Sequence, residues 1–369
     1  MRLTRRQTLL GLGTTALATP FVRPSWAQAG TVNVYNWADY IGETTLDDFQ
    51  AETGIGVVYD LYASSEEMQA KMLAGASGYD VVLMAGMSLP RFITAGVYQK
   101  PDRAKLTNWG NLDPAILKVM EGFDPGNLYG VPYMWGSVGI TWNLDLVAER
   151  LGADADLEDL GTLLNPENAA KLADCGISLL DSPTDLGFMV LSYLGLDASA
   201  AGPAEYAKMA EALGAIRPYV TTFDNSNYLN TLPTGELCVA NNWSGDYGVA
   251  KTRAEEAGLE VNLAYHVPKT GAPAWFDNWC IPADAKNVDP AHVFLDFMLR
   301  PEVIAACTDY TGYANANAAA TPLVDPSISS DPAVYPDAAT LARLYTPKPQ
   351  TEEQDREINR IWTTIKTGG

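Results

Sequence analysis

Hydrophobic and polar positions along this chain follow two rhythms. Thr31-Val32-Asn33-Val34-Tyr35 alternates with period two, the pattern of a half-buried strand, and a helix is predicted from about Thr44 to Thr53. Ser64-Ser65-Glu66-Glu67 has the form of a capping box, opening a helix that ends near Gly75. Asp80-Val81-Val82-Leu83-Met84 is a short apolar run of the fully buried parallel-strand type, followed by a helix from about Ser88 to Ala95 that stops at Gly96. Such β-α-β alternation, carried through 369 residues, predicts an α/β architecture, and the length favours two lobes over one.

The lobe boundary is expected in the Gly- and Pro-punctuated stretch Gly130-Val131-Pro132-Tyr133-Met134-Trp135-Gly136, which leads into a strand at 138–143. A second lobe continues through Ile177–Leu180, helices near Asp185–Leu194 and Ala204–Ile216, and a strand at Glu236–Ala240. A further strand within Pro268–Pro282 is assigned back to the first lobe, and helices are expected near Ala338–Leu344 and Glu353–Lys366. The division is 30–135 with 254–321 for the first lobe and 136–253 with 322–369 for the second, with hinge crossings near Tyr133–Gly136 and Lys251–Glu255.

Residues 1–29 change the picture of location. Arg2, Arg5 and Arg6 precede an apolar Gly/Ala-rich run to Phe21, and Trp26-Ala27-Gln28-Ala29 supplies a small-residue cleavage site, so a cleaved export signal is expected. Paired arginines before Gln7-Thr8-Leu9-Leu10 point to the twin-arginine route. The run is too short and glycine-rich for a lasting anchor. Removing four arginines leaves 20 basic against 45 acidic residues, a formal charge of −25. Such a surface argues against nucleic acid and anionic lipid as partners and biases encounter toward cations.

Export permits disulfides among the four cysteines. Cys175 and Cys238 each adjoin a predicted buried strand and could join neighbouring elements. Cys280 and Cys307 either pair or stay as buried thiols. With no C-x-x-C and only His266 and His292, a zinc site or a histidine-based triad is not expected, and no cofactor is called for.

Candidate chemistry lies in a recurring pairing of acid with aromatic ring. Asp39 sits between Trp37 and Tyr40, Asp246 follows Trp243-Ser244-Gly245, and Asp277 follows Trp275-Phe276; Asp185 opens a helix after Leu180-Asp181-Ser182-Pro183. Each aspartate alone is more often a helix cap, and each tryptophan more often core. Their repetition near predicted strand ends, where open α/β sheets collect ligands, favours a site for an organic cation. Helix N-termini facing such a crevice repel a cation, so carboxylates at those loops are required, and the chain supplies them.

Tyr35-Asn36-Trp37-Ala38-Asp39-Tyr40-Ile41, Pro132-Tyr133-Met134-Trp135, Trp243-Ser244-Gly245-Asp246, Trp275-Phe276-Asp277 and Tyr313-Ala314-Asn315-Ala316-Asn317 together resemble the motifs of the periplasmic putrescine/spermidine-binding proteins, in the family's order. The resemblance is closest to the putrescine-type branch. It implies a bilobal periplasmic-binding-protein fold of type II, without catalysis and monomeric, that delivers a polyamine to the permease of an ABC importer. Trp37, Tyr40, Trp243, Trp275 and Tyr313 would box the methylene chain. Asp39, Asp246 and Asp277 would bind the ammonium groups, with Asp185 at longer range. A Cys175–Cys238 disulfide is implied as well. The chain departs from the pattern at Ala38 and Ala85, where the family carries hydroxyls, and Trp275 leans toward the longer polyamine. Two other readings compete: an exported carboxylate-pair hydrolase in the same cleft, and a receptor of this fold for another cationic solute. Acids that stand beside rings at a lobe edge, none recognisably buried, count against the hydrolase.

Overall fold

The computed structural model describes residues 30–62 and 64–368; the expected export signal lies outside them. Twelve strands carry the fold: β1 Thr31–Trp37, β2 Gly56–Tyr62, β3 Val81–Ala85, β4 Tyr98–Gln99, β5 Val131–Asn143, β6 Ile177–Leu179, β7 Thr222–Phe223, β8 Val239–Trp243, β9 Leu263–His266, β10 Ala272–Pro282, β11 Ala314–Asn315 and β12 Leu344–Tyr345. The hydrogen-bonded order is β2-β1-β3-β10-β5-β8-β6-β7. β1 pairs in parallel with β2 from Thr31↔Gly56 to Trp37↔Tyr62, and with β3 at Val34↔Val81. The β1 pattern places Val32 and Val34 in one core cluster and Tyr35 in another, as period-two alternation requires. Ser64 Oγ accepts from the Glu67 amide and caps the helix Ser65–Ala74.

Two long antiparallel strands bind the lobes together. The first half of β5 pairs with β10 and β11, while Val138–Trp142 pairs with β8 and β9. Val131, Tyr133 and Met134 accordingly enter one core, and Val138, Ile140 and Trp142 the other. β10 makes the reverse passage: Ala272 belongs with the second core and Trp279 and Ile281 with the first. The strands change core opposite each other, around Trp275↔Gly136. Between Phe276↔Trp135 and Asn278↔Pro132 the ladder slips, so β5 carries one extra residue against Asp277. Such a bulge bends the strand and re-aims the side chain opposite it.

The crossing expected at Lys251–Glu255 is not made there. Those residues belong to one continuous helix, Ser244–Glu256, and β9 beyond it still pairs with the second-lobe half of β5. That helix buries Ser244, Gly245, Asp246, Tyr247, Ala250 and Ala254. A buried face made largely of small and polar residues leaves little apolar period to read, which is why the sequence suggests a crossing where the helix runs on. The chain returns to the first lobe in β10. Val324 joins the first core, with Ile328 and Tyr335 against it, whereas Ile358, Ile361, Trp362 and Ile365 of the terminal helix Glu352–Thr367 pack in the second.

Cys175 and Cys238 form a disulfide beside β6 and β8, with Cα atoms 5.4 Å apart. Cys280 and Cys307 remain buried thiols. Among the described residues no helix is long and apolar enough to cross a membrane. The disulfide closes a loop of 63 residues, so replacing both cysteines by serine is expected to lower unfolding stability by about 2–4 kcal/mol. Urea unfolding of the Cys175→Ser/Cys238→Ser protein checks this; an unchanged midpoint would show that the crosslink constrains nothing.

Candidate functional site

Trp37 closes β1 in register with Tyr62, their ring centroids 4.4 Å apart. The chain then turns through Ala38 and Asp39, whose φ of 52° is left-handed, a conformation aspartate tolerates better than most residues. This turn leaves Asp39 in solvent and drives Tyr40 inward. The Tyr40 carbonyl accepts from Asn36 Nδ2 (3.0 Å) and from the Tyr133 hydroxyl (3.1 Å), and its ring meets Tyr133 and Tyr313 edge-on at 5.5 and 5.6 Å. β10 brings Trp275 and Asp277 to the same place. Tyr313 stands edge-on to Trp275 at 5.1 Å.

Two glycines allow the rings to lie on backbone. A Cβ at Gly136 would stand 2.5 Å from the Trp275 ring, and one at Gly245 would stand 2.4 Å from the Tyr313 ring. Both contacts occur where the lobes meet, because Trp275 packs against both cores and Tyr313 belongs to the first while Gly245 opens the helix of the second. No side chain larger than hydrogen fits at either position.

From the second lobe, β8 ends at Trp243 and the helix begins at once, so Asp246 falls in its first turn. The Tyr228 hydroxyl donates to Asp246 Oδ2 and the Tyr313 hydroxyl to Oδ1. Asp185 precedes the helix Leu186–Tyr193 and does not cap it; instead its Oδ2 accepts from Ser182 Oγ (2.9 Å) and from Trp243 Nε1 (3.3 Å). The Tyr40 hydroxyl stands against the Asp277 carboxylate without full hydrogen-bond geometry. Asp185, Asp246, Asp277, Tyr40, Trp243, Trp275 and Tyr313 thus meet along one interlobe seam. Trp37 borders it through Tyr62, which feels the Asp277 charge. Asp39 stays at the rim, in solvent.

The electrostatics of the seam are unusual for its three acids, Asp185, Asp246 and Asp277. Asp246 and Asp277 are only 8% and 7% exposed. Burial pushes Asp277 up to about 7, against the Tyr40 hydroxyl, with the Asp185 charge adding to the rise. Burial likewise raises Asp246 to about 6 against the two tyrosine hydroxyls and Arg253, and raises Asp185 against Ser182 and Trp243. Among the described residues no lysine or arginine donates a hydrogen bond to any of the three. The sequence argument that none of the acids is buried is therefore overturned. Tertiary packing buries Asp246 and Asp277 and raises all three seam acids, so exposure of the acids no longer counts against a hydrolase.

Tyr228 was not found from the sequence, and Tyr133, which the sequence offered only within a motif and a hinge crossing, was given no site role. Tyr228 sits on a single short turn, Tyr228–Thr231, far from any aromatic–acid pair, and carries no pattern that would mark it. Two cavities, about 340 Å³ beside Asp156, Glu158 and His266 and about 510 Å³ beside Lys105, Asp289 and His292, share no lining residue with the seam. Ion pairs Lys269–Asp156 and Lys105–Asp289 already satisfy charges there.

A carboxylate whose folded pKa is raised destabilises the fold once pH exceeds its unfolded value, because the folded state holds the proton more tightly. For Asp277 the penalty grows between about pH 4 and the folded value of about 7, and is complete above it. Asp277→Asn is therefore expected to stabilise the ligand-free protein at pH 8 by an amount on the order of 2–4 kcal/mol, with the gain vanishing near pH 4. Denaturant unfolding at the two pH values checks it; a variant less stable than the parent at pH 8 would refute the burial argument.

Residues 44–336 match the family model of bacterial extracellular solute-binding proteins. The chain is 43% identical over 361 residues to the putrescine-binding periplasmic protein PotF of Escherichia coli strain K12, covering 98% of each. It is 45% identical over 337 residues to the putrescine-binding periplasmic protein SpuD of Pseudomonas aeruginosa strain UCBPP-PA14, covering 91% of this chain and 92% of the relative. The solved structure of the spermidine/putrescine ABC transporter substrate-binding protein PotD from Streptococcus pneumoniae matches with a TM-score of 0.77 at 26% identity, covering 92% of this chain and 99% of that one. Two lobes joined by paired strands, an acidic and aromatic seam between them and a family match over most of the length agree: the chain belongs to the bacterial extracellular solute-binding proteins.

Proposed function

We propose that this protein captures a polyamine in the seam between its lobes and delivers it to the membrane permease of an ABC importer. One observation carries the ligand class: Asp185, Asp246 and Asp277 share an aromatic-lined seam and take no hydrogen bond there from a lysine or arginine of the described chain. Desolvated carboxylates without a counter-charge are costly unless a cation arrives to share the site. A diamine or triamine is a flexible apolar chain with charged ends. The rings of Trp37, Tyr40, Trp243, Trp275 and Tyr313 remove methylene surface from water at about 25 cal/mol per Å². A desolvated cation–π contact adds roughly 2 kcal/mol. Asp277, with Asp39 at the rim, serves one ammonium end and Asp246 the other, with Asp185 acting at longer range. Ala85 lies in register opposite Asp277, so a methyl stands where the family's hydroxyl would be. The polyamine-binding relatives and the family assignment favour this reading over a hydrolase.

The working setting follows from the same reading. The relatives are periplasmic, and a twin-arginine leader over residues 1–29 would bring the chain there as a monomer. The exchange of cores by β5 and β10 near Gly136 and Ala274 supports a hinge at that point. Ligand contacts from both lobes then favour the closed state. An acidic surface gives no basis for a nucleic-acid partner.

Calorimetric titration of refolded, ligand-stripped protein with putrescine, cadaverine, agmatine and spermidine is expected to show one-to-one binding. Asp246→Asn and Asp277→Asn are each expected to weaken it at least tenfold, about 1.4 kcal/mol. Silence across all four amines, or full affinity in both variants, would refute the assignment.

An ammonium group displaces the proton that a raised carboxylate holds, while alkylamines stay charged up to about pH 9. With Asp246 at about 6 and Asp277 at about 7, affinity should rise from pH 5.5 to 8. Binding near pH 6.5 should release protons. Titrations in two buffers of different ionisation enthalpy measure that release; identical heats in both would contradict it.

A further inference from the structure

Asp246 is held in an uncommon way. Each carboxylate oxygen accepts a tyrosine hydroxyl, Oδ2 from Tyr228 of its own lobe and Oδ1 from Tyr313 of the other. Tyr228 is fully buried, and its one hydroxyl proton has a single alternative acceptor, the Asn225 carbonyl at 3.3 Å. The charged acceptor is the stronger of the two. Tyr313 is fixed independently. Its ring lies against the Gly245 backbone and edge-on to Trp275 and Tyr40, and the Gly245 carbonyl oxygen lies where a Gly312 Cβ would stand 3.0 Å away. The Tyr313–Asp246 bond therefore joins the lobes, and Tyr228 stands behind it on the side away from the opposing lobe.

We propose that Tyr228, which lies outside every recognised motif, is a positioning residue: its phenol holds Asp246 ionised and turned toward the opposite lobe, so that amine capture and lobe closure draw on the same carboxylate. The proposal rests on the polyamine reading for its consequence, and on the Tyr228–Asp246 bond alone for its cause. Other charged and titratable groups surround this pair. Arg253 on its own helix favours the ionised form of Asp246, and Tyr313 on the opposite lobe donates to it; the Asp246 charge reaches Tyr265 on β9, while Asp224 acts on Tyr228 and Asp277 on Tyr313. Of these, only Tyr228 and Tyr313 donate to the carboxylate. Tyr313 donates only while the lobes are closed; in the open state Tyr228 alone among them is left to keep Asp246 aimed.

Removing a hydrogen bond to the charged form raises a carboxylate's pKa. In Tyr228→Phe the Asp246 titration midpoint, followed by carbon-13 NMR of the aspartate carboxyls and assigned with Asp246→Asn, is expected to move up by about one unit. Putrescine affinity in this variant should fall about fivefold at pH 6 and no more than about twofold at pH 8.5, because only the protonated fraction is lost. A loss equal at both pH values, with an unmoved Asp246 midpoint, would reduce Tyr228 to packing and overturn the proposal. If no amine binds at any pH, the polyamine reading fails, and the ligand-free Asp246 midpoint still decides the role of Tyr228. Should the variant not fold, the native protein supplies the measurement: a downfield Tyr228 hydroxyl proton that disappears in Asp246→Asn supports the bond, and its absence refutes it.

Discussion

Asp246 and Asp277 are buried and Asp185 partly buried along one seam, where no basic side chain of the described residues is hydrogen-bonded to them, and much of the structure follows from that constraint. The fold supports them with what it has. Phenols serve Asp246, a hydroxyl and an indole N–H serve Asp185, and Asp277 faces a tyrosine that does not quite reach it. Neutral donors soften the desolvation cost without removing the negative potential. An arginine would have cancelled that potential and closed the site to any cation. The least compensated acid, Asp277, is also the one pushed highest. Stability is given up where binding needs it.

The two passages of backbone between lobes sit in the same place as the chemistry. β5 and β10 exchange cores beside Trp275 and Gly136, a residue or two from Asp277 and the bulge that aims it. Closure and ligand contact are therefore parts of one geometry. A rotation about these strands changes the distance from Tyr313 to Asp246 and from Trp275 to Trp243 together. The glycines at 136 and 245 matter because rings must lie directly on backbone at the lobe contact, and any Cβ there would hold the lobes apart.

The acids also separate by role through depth. Asp39, on a left-handed turn at the rim, keeps its water. Asp246 and Asp277 do not. On the proposed function, an approaching polycation would meet the exposed charge first and the buried ones after the lobes close, which suits capture followed by retention.

The amino-acid order by itself determined the alternating elements, since β1, β3 and the helices behind them are written in local periodicity. It also brought out the Trp–Asp pairings at Trp37/Asp39, Trp243/Asp246 and Trp275/Asp277, which repeat within a few residues, whereas Tyr313 was pointed to only by the family resemblance. It did not show the helix Ser244–Glu256, whose buried face is largely small and polar, nor that the strand it assigned back to the first lobe, β10, is itself where the chain crosses. It could not show burial of Asp246 and Asp277, which depends on the opposing lobe, nor Tyr228, which reaches Asp246 across 18 positions from a turn without pattern. Periodicity reports what a segment offers to a core. Which charge loses its water, and which distant hydroxyl answers it, is decided only when two lobes pack face to face.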